Sequence, residues 1–546
     1  MAAAAPSERA NFELYFPPRD RAGLQALIEA QNRPDSPIYH QFLTPQQFAR
    51  SFGPTAATLA QVTAELAARG LRVTEHRGQM LQVAGTAAAV ESLFGVRLFH
   101  GRFADGSQRL VADRALTMPR AIAASGALTP EFSRAASPHV DSQDARRPLN
   151  IFSTVGPYYA FDLRQAYDFP SAASITAAGV NIAILMAGNY TNSDVFQYFL
   201  QDGLSGADTP QLSSVPINGG LAFSTTNSRE TELDIEQSGG VSIGANVRLY
   251  DLSDLGFATV IFGLQHIVED NFADVVNMSF GADEAVFTAA ENGGISQGYI
   301  LSLYDILFSQ GVAQGITFVA SSGDHGAIPL VGNTPTLTVE SPADDPFVVA
   351  VGGTNLVTTH IAAGNYDSVY VSENANHDTE PNGEVWGSGG GISIWWGKPS
   401  YQTLVPTPST NARTVPDVAM HMGGCPGDAI TCSSPDSSDA EFFGGKTVFT
   451  IGTSAAAPDF AGLLALKKKL TGKRLGWENV DIYTRAKKQI EGVGIPFHHA
   501  GIPGNNGHYS TAVPYDLVIG NGTVNGRQLL DTALPPSGVP HTSTNP

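Results

Sequence analysis

The segment IGTSAAAPDFAGLLALKKKL, residues 451–470, runs from Gly-Thr-Ser-Ala into an apolar helix interrupted early by Pro458. A serine at a glycine-flanked helix start has an exposed hydroxyl and the helix's free N–H groups beside it, and both favour attack on a carbonyl carbon. Ser454 is therefore a candidate nucleophile, although a plain N-cap serine fits the same pattern. The usual base for such a serine is histidine. The 13 histidines here are scattered, and only His325, in SSGDHGA, falls beside a strand end, where it reads as a loop residue. The segment SRETELDIEQSGG, residues 228–240, offers something else: helical character, with Glu230 and Asp234 four apart on one face. Two carboxylates held together cannot both ionise easily, so one keeps a proton while the other serves as base, working best in acid. Glu232 and Glu236 crowd the same segment, and a solvated acidic helix is the competing reading. In FVASSGDHG, residues 318–326, a strand runs into a turn; a protonated Asp324 there could donate a hydrogen bond to an oxyanion, or could simply be a turn residue.

Two sets of elements must position these groups. Over residues 1–132 short strands alternate with amphipathic helices, as in FELYF, RAGLQALIEAQN, LRVTEHRG and TAAAVESLFG. That order predicts an α+β unit of the split βαβ, ferredoxin-like kind. Residues 133–150, SRAASPHVDSQDARRPLN, are polar and lack a hydrophobic period, which predicts an exposed linker open to cleavage. Residues 151–546 alternate apolar strands such as VNIAILMAG and GITFVASSG with long helices. This predicts an α/β fold with a doubly wound parallel sheet, whose ligands gather at the carboxyl ends of the strands.

Bulk composition agrees with two domains: 546 residues, 42% hydrophobic and 15% charged, exceed one ordinary core. Acidic residues outnumber basic ones by 51 to 31, a formal charge of -20 that would repel nucleic acid. A carboxylate-rich surface suits either work in acid or ordinary solubility. The longest uncharged stretch, near residues 171–188, is broken by polar residues, so no membrane span is expected, and the N-terminus shows no signal peptide. Cys425 and Cys432 suit a small disulfide loop in an oxidising compartment, with two inert thiols as the alternative.

Taken in order along the chain, these segments resemble the sedolisin, or serine-carboxyl peptidase, family, which includes the kumamolisins and tripeptidyl-peptidase I. PDSPIYHQFLTPQQFARSFG looks like that family's propeptide, VGPYYAFDLRQAYDFP like the start of its mature domain and ETELDIE like its Glu-xxx-Asp helix. NMSFG, SSGDHG, ESPADDPFVVAVGGT, VWGSGGGIS, RTVPDVA and GTSAAAP are similar to further motifs in the right order. The resemblance implies a subtilisin-like catalytic domain behind an inhibitory prodomain, and catalytic roles for Glu230, Asp234, Asp324 and Ser454.

It also has gaps. Family members often end in a calcium loop, and here FHHAGIPGNNGHYSTAVPYD places His499 where the first aspartate ligand is expected, leaving Asp516 to match the second. The resemblance leaves a Ca2+ ion possible, with Asp516 as a ligand; calcium prefers anionic and carbonyl oxygens, so the His499 imidazole is a poor substitute and the ion is weakly held or absent. Kumamolisin-like members also carry a glutamate at the strand end matching Leu185. KKKLTGKR, residues 467–474, reads as a helix C-terminus facing water, and GSGGGIS as a substrate-side loop without a phosphate-binding Lys-Ser/Thr.

The expectation is a secreted, acid-acting endopeptidase, monomeric, made as a self-processing zymogen whose own prodomain covers the cleft and which acts on protein or peptide substrates. A tripeptidyl-peptidase, a catalytically dead peptide-binding relative and a glycoside hydrolase using Glu230 and Asp234 are the alternatives.

Overall fold

The structure, a computed structural model, describes residues 2–102, 108–133, 135, 156–224, 228–327, 336–362, 365–375, 377–379, 385–424, 438–499 and 501–537. The expected linker at 133–150 lies almost wholly outside the described residues, as do Cys425 and Cys432. The chain gathers into two compact groups: Met1–Pro138 with Leu255–Phe272 and Glu284–Ile316, and His139–Asp254 with Ala273–Asp283 and Thr317–Pro546.

In the first group, Phe12–Tyr15, Arg72–Arg77 and Met80–Ala84 form an antiparallel sheet with the last of these in the centre. The outer two therefore run parallel to one another, which is the split βαβ arrangement. Thr44 and Gln47 close a reciprocal capping box on the helix Pro45–Phe52, and Thr55 and Thr86 cap Ala56–Ala67 and Ala87–Phe94. The latter two helices turn Val62, Leu66, Val90 and Phe94 into one core with Phe12, Leu14, Leu81 and Val83. The strand Leu98–Arg102 pairs with Gln108–Ala112 in a hairpin instead of extending the sheet, so the ferredoxin-like order holds for three strands.

The second group is built on β1 (Asn181–Met186), β2 (Gln211–Ile217), β3 (Asn246–Leu252), β4 (Val275–Met278), β5 (Thr317–Ser321), β6 (Val348–Ala362), β7 (Asn365–Asn374) and β8 (Val418–His421). A hairpin, β9 (Asp439–Phe443) and β10 (Lys446–Thr450), precedes the short strands β11 (Phe497–His498) and β12 (Thr523–Val524). The main sheet runs β11-β12-β8-β6-β5-β4-β1-β3-β2, with β7 also paired to β6. All its pairings are parallel except those of β7 and β11. β4 and β5 are buried along their whole length, as central strands of a parallel sheet covered on both faces are. The winding direction reverses between β1 and β4, and open α/β sheets bind ligands at the carboxyl ends beside such a reversal.

Two helices matter most. α1 (Ser228–Val241) and α2 (Thr453–Thr471) pack along each other, and α2 also touches β4, β5, β6 and β8. The basic run at the end of α2 does more than face water. Lys467 is buried against Glu478 and Asp481, while Lys468 and Arg474 both hold Asp274. A run that looks solvated in sequence is thus partly a buried ionic strut. No described helix is long and apolar enough to cross a membrane.

Candidate active site

α1 is buried at all fourteen positions, which removes the reading of a solvated acidic helix. The helical period sends its carboxylates two ways. Glu232 Oε1 accepts from the Thr191 amide at 2.5 Å and Glu236 Oε2 from the Phe442 amide at 3.0 Å. On the other face, Glu230 and Asp234 turn towards the start of α2.

Asp234 Oδ1 lies 2.5 Å from Ser279 Oγ and accepts from Asn277 Nδ2 at 2.9 Å. Asn277 belongs to β4 and Ser279 follows it, so both come from the carboxyl end of a central strand. The Ser279 hydroxyl is also 3.4 Å from the carbonyl oxygen of Ser454. That carbonyl lacks its helical partner because the residue four further on is Pro458, which has no N–H. The proline inside GTSAAAP therefore frees a carbonyl that helps bring the Asp234 network to the Ser454 backbone.

Among the described residues, Glu230 itself has no hydrogen bond of good geometry on either carboxylate oxygen. Burial raises its pKa most and the negative charge of Asp234 adds to that; the nearby Ser454 hydroxyl works against both by favouring the charged form, and Asp324 and Glu441 raise it less. Burial also pushes Asp234 up, against the hydrogen bonds from Ser279 and Asn277. The pair is thus a proton-holding unit with a serine hydroxyl against it.

Asp324 follows β5. Its Oδ1 accepts from the Thr453 amide and the Thr453 hydroxyl, both at 2.7 Å. Its Oδ2 lies 2.9 Å from where a Cβ would stand on Gly452, whose φ of +146° also favours glycine. The glycine ahead of Ser454 therefore lets the Asp324 carboxyl approach the α2 start. The GSGGGIS segment holds the Asp324 turn from below: the Gly387 amide donates to Asp324 O at 2.8 Å and the Gly389 amide to Gly323 O at 2.7 Å. A Cβ on Gly389 would stand 2.1 Å from Ser322 O, so only glycine allows this strap.

Ser454 and Asp324 line one small pocket with Ser279, Gly281, Gly323 and Glu340. His325 is engaged elsewhere, its Nδ1 3.2 Å from Val385 O and its ring edge-on to Trp386. His421 is fully buried, accepts from the Leu356 amide, and has its pKa lowered by burial to about 3. Glu230, Asp234, Asp324 and Ser454, all expected from sequence, are brought together. Ser279 and Asn277 were legible only as polar residues at a parallel strand's end within NMSFG.

Residues 1–127 match the Pro-kumamolisin activation domain, and residues 172–491 match the Subtilase family. The chain belongs to the subtilase family. It is a serine-type peptidase with the activation propeptide of the sedolisin branch. Sedolisin from Pseudomonas sp. (strain 101) is 27% identical over 541 residues, covering 95% of this subtilase and 86% of that protein. Kumamolisin from Bacillus sp. (strain MN-32) is 28% identical over 547 residues, covering 94% and 89%. The structure of Pseudomonas sedolisin complexed with two molecules of pseudo-iodotyrostatin superposes with a TM-score of 0.57 at 26% identity, over 69% of this chain and 98% of that one.

The loop in which the sequence resemblance places calcium is differently filled. Asp516 Oδ1 accepts from the amides of Val518 and Ile519 at 2.8 and 2.9 Å, and Oδ2 from Ala512 at 2.8 Å. His499 Nε2 stands 3.5 Å from Asp516 Oδ2 and 3.3 Å from Gly520 O, with both side chains buried. The imidazole occupies the ground between the two oxygens, and this donor set does not fit a calcium ion. Leu185 is buried in β1, so no carboxylate extends the catalytic network there.

Proposed function

We propose that this subtilase is a secreted, acid-acting endopeptidase, made as a zymogen that processes itself, with Ser454 as nucleophile. The observation that carries the reading is the buried Glu230 and Asp234 pair set against the Ser454 hydroxyl, while His325 and His421 are engaged elsewhere. Ser454 Oγ attacks the peptide carbonyl carbon as its proton passes to Glu230, whose basicity Asp234 sustains by holding the pair's other proton. A protonated Asp324 donates to the oxyanion, which is why acid is required: ionised, it would repel that charge. The C–N bond then breaks, the amine leaves with the proton from Glu230, and an ester remains on Ser454. Water attacks that ester with Glu230 again as base, releasing the acid product and restoring the hydroxyl.

Residues 1–127 supply an intramolecular inhibitor, and cutting within 133–150 releases it. The Asp516 loop works without calcium, the His499 imidazole standing where the cation would be. Denatured protein mixed with the chain at pH 3 to 5 should be digested, and the precursor should shorten by its prodomain. Ser454→Ala should do neither; a variant that still self-processes and digests at the wild-type rate rules the scheme out. Product lengths separate internal cutting from release of tripeptides.

A further inference from the structure

Arg229 stands immediately before Glu230 in the first turn of α1 and is buried. Its guanidinium reaches the β9–β10 hairpin. Nε donates to Glu441 Oε2 at 3.0 Å, and Nη2 donates to the Phe449 carbonyl at 3.0 Å and to Thr450 Oγ1 at 2.8 Å. The Thr450 hydroxyl donates to the same Glu441 oxygen at 2.6 Å, closing a three-membered ring of side chains. Thr450 ends β10, and only Ile451, Gly452 and Thr453 separate it from Ser454. The ring therefore ties the residue beside Glu230 to the strand that delivers Ser454.

Stability is a poor reason for placing this ring here, because a buried ion pair can usually be replaced by apolar side chains of equal volume at no net cost. Geometry is a better one. A guanidinium fork fixes direction as well as distance, which an apolar contact does not. Glu230 needs that help, since no neighbour among the described residues holds its carboxylate by a well-formed hydrogen bond. Its place relative to Ser454 then depends on where the first turn of α1 sits, and a misplacement of about 1 Å at a reacting pair can cost roughly 100-fold in rate.

We propose that Arg229, Glu441 and Thr450 are positioning residues for the Glu230 and Ser454 pair, clamping the first turn of α1 to β10. The clamp rests on Glu230 acting as base. It also sets the electrostatics at that base. Glu230 is faced by the carboxyls of Asp234, Asp324 and Glu441 and by the Ser454 hydroxyl; Arg229 offsets Glu441.

The test uses self-processed enzyme, counted by active-site acylation, with kcat and KM measured across pH 2 to 7. Arg229→Met should lower kcat per active site about 30- to 100-fold with KM changed less than about threefold, since none of the three lines the small pocket shared by Ser454 and Asp324. It should move the acid limb of kcat/KM to higher pH, because Glu441 is then left uncompensated beside the base. Glu441→Gln should move that limb to lower pH. Arg229→Lys should restore the limb, by charge, while recovering only part of kcat, by geometry. Should Arg229→Met fail to fold, Thr450→Val, near-isosteric and uncharged, should still lower kcat by roughly three- to tenfold. Wild-type limbs and wild-type kcat per active site in both Glu441→Gln and Thr450→Val overturn the clamp. Glu230→Gln separates the two readings: full activity there sinks the base assignment itself, whereas an inactive Glu230→Gln beside unaltered clamp variants sinks only the clamp.

Discussion

Two groups of buried carboxylates in the same sheet domain have been treated in opposite ways. Asp417, in RTVPDVA, is fully buried and surrounded by donors: Arg413 in a two-pronged pair at 2.6 and 2.7 Å, Tyr483 Oη at 2.8 Å, Asn479 Nδ2 at 3.0 Å and the Ala350 amide at 2.9 Å. Glu230 and Asp234 are also buried, yet among the described residues no cationic side chain contacts either, and burial raises the pKa of both. Burial alone therefore does not decide what a carboxylate is for. One that is fully partnered fixes structure, and one denied a cation is left able to hold and hand over a proton.

Substitution should separate the two most sharply. Glu230→Gln should cost at least about a thousandfold in kcat, as removal of a proton acceptor does, while leaving the thermal midpoint unchanged or higher at pH 7. Asp417→Asn should do the reverse, losing about 3 to 5 kcal/mol of stability by stranding the buried Arg413 charge, with kcat per correctly folded molecule little changed. Denaturant unfolding together with active-site counting checks both. Equal losses of stability in the two variants would break the distinction.

The next effect is the response of stability to pH. Burial raises Asp202 to about 7 and Glu232 to about 8, and pushes Glu236, Asp439 and Asp459 up as well. Each such group keeps its proton in the folded state at a pH where the unfolded chain has released it. The folded state then binds more protons, so stability falls as pH rises. For Asp202 the loss spans from its ordinary 3.8 to about 7, and for Glu232 from 4.5 to about 8. Calorimetry on Ser454→Ala, which should not digest itself, should show a midpoint roughly 10 °C lower at pH 8 than at pH 4. Asp202→Asn should flatten part of that slope. A midpoint that rises from pH 4 to pH 8 would contradict the directions of these shifts.

The four candidate site residues were legible in the sequence, for definite reasons. Glu230 and Asp234 share a face by helical period, and Ser454 and Asp324 each sit where a strand or turn meets the next element, so local rules place all four. The feature that distinguishes the two carboxylate groups is not local. Arg229 meets Glu441 across 212 positions of sequence and Asp417 meets Tyr483 across 66, and no periodicity reports such pairings. The same blindness made KKKLTGKR look solvated, because Glu478 and Asp481, which bury Lys467, belong to a different helix. The glycines of GSGGGIS were visible as glycines, but the backbone they pass, at Ser322, was not.

Asp516 is an intermediate case, and it yields the smallest expected effect. Its oxygens are partnered by three backbone amides, and the His499 imidazole stands 3.5 Å from Oδ2. If His499 does substitute for calcium, the wild-type midpoint should be indifferent to millimolar calcium and to chelator alike. His499→Asp would set a second carboxylate beside Asp516 and the Gly520 carbonyl, an oxygen-rich set of the kind calcium prefers. Without calcium that variant should melt below wild type, because two buried carboxylates would repel. With calcium at about ten times its Kd it should regain about 1.4 kcal/mol, or roughly 2 °C, and chelator should reverse the gain. A calcium-dependent rise of the same size in the wild-type protein would mean that the loop takes the ion despite the imidazole, and Asp516 would then join the fully partnered carboxylates as a metal ligand.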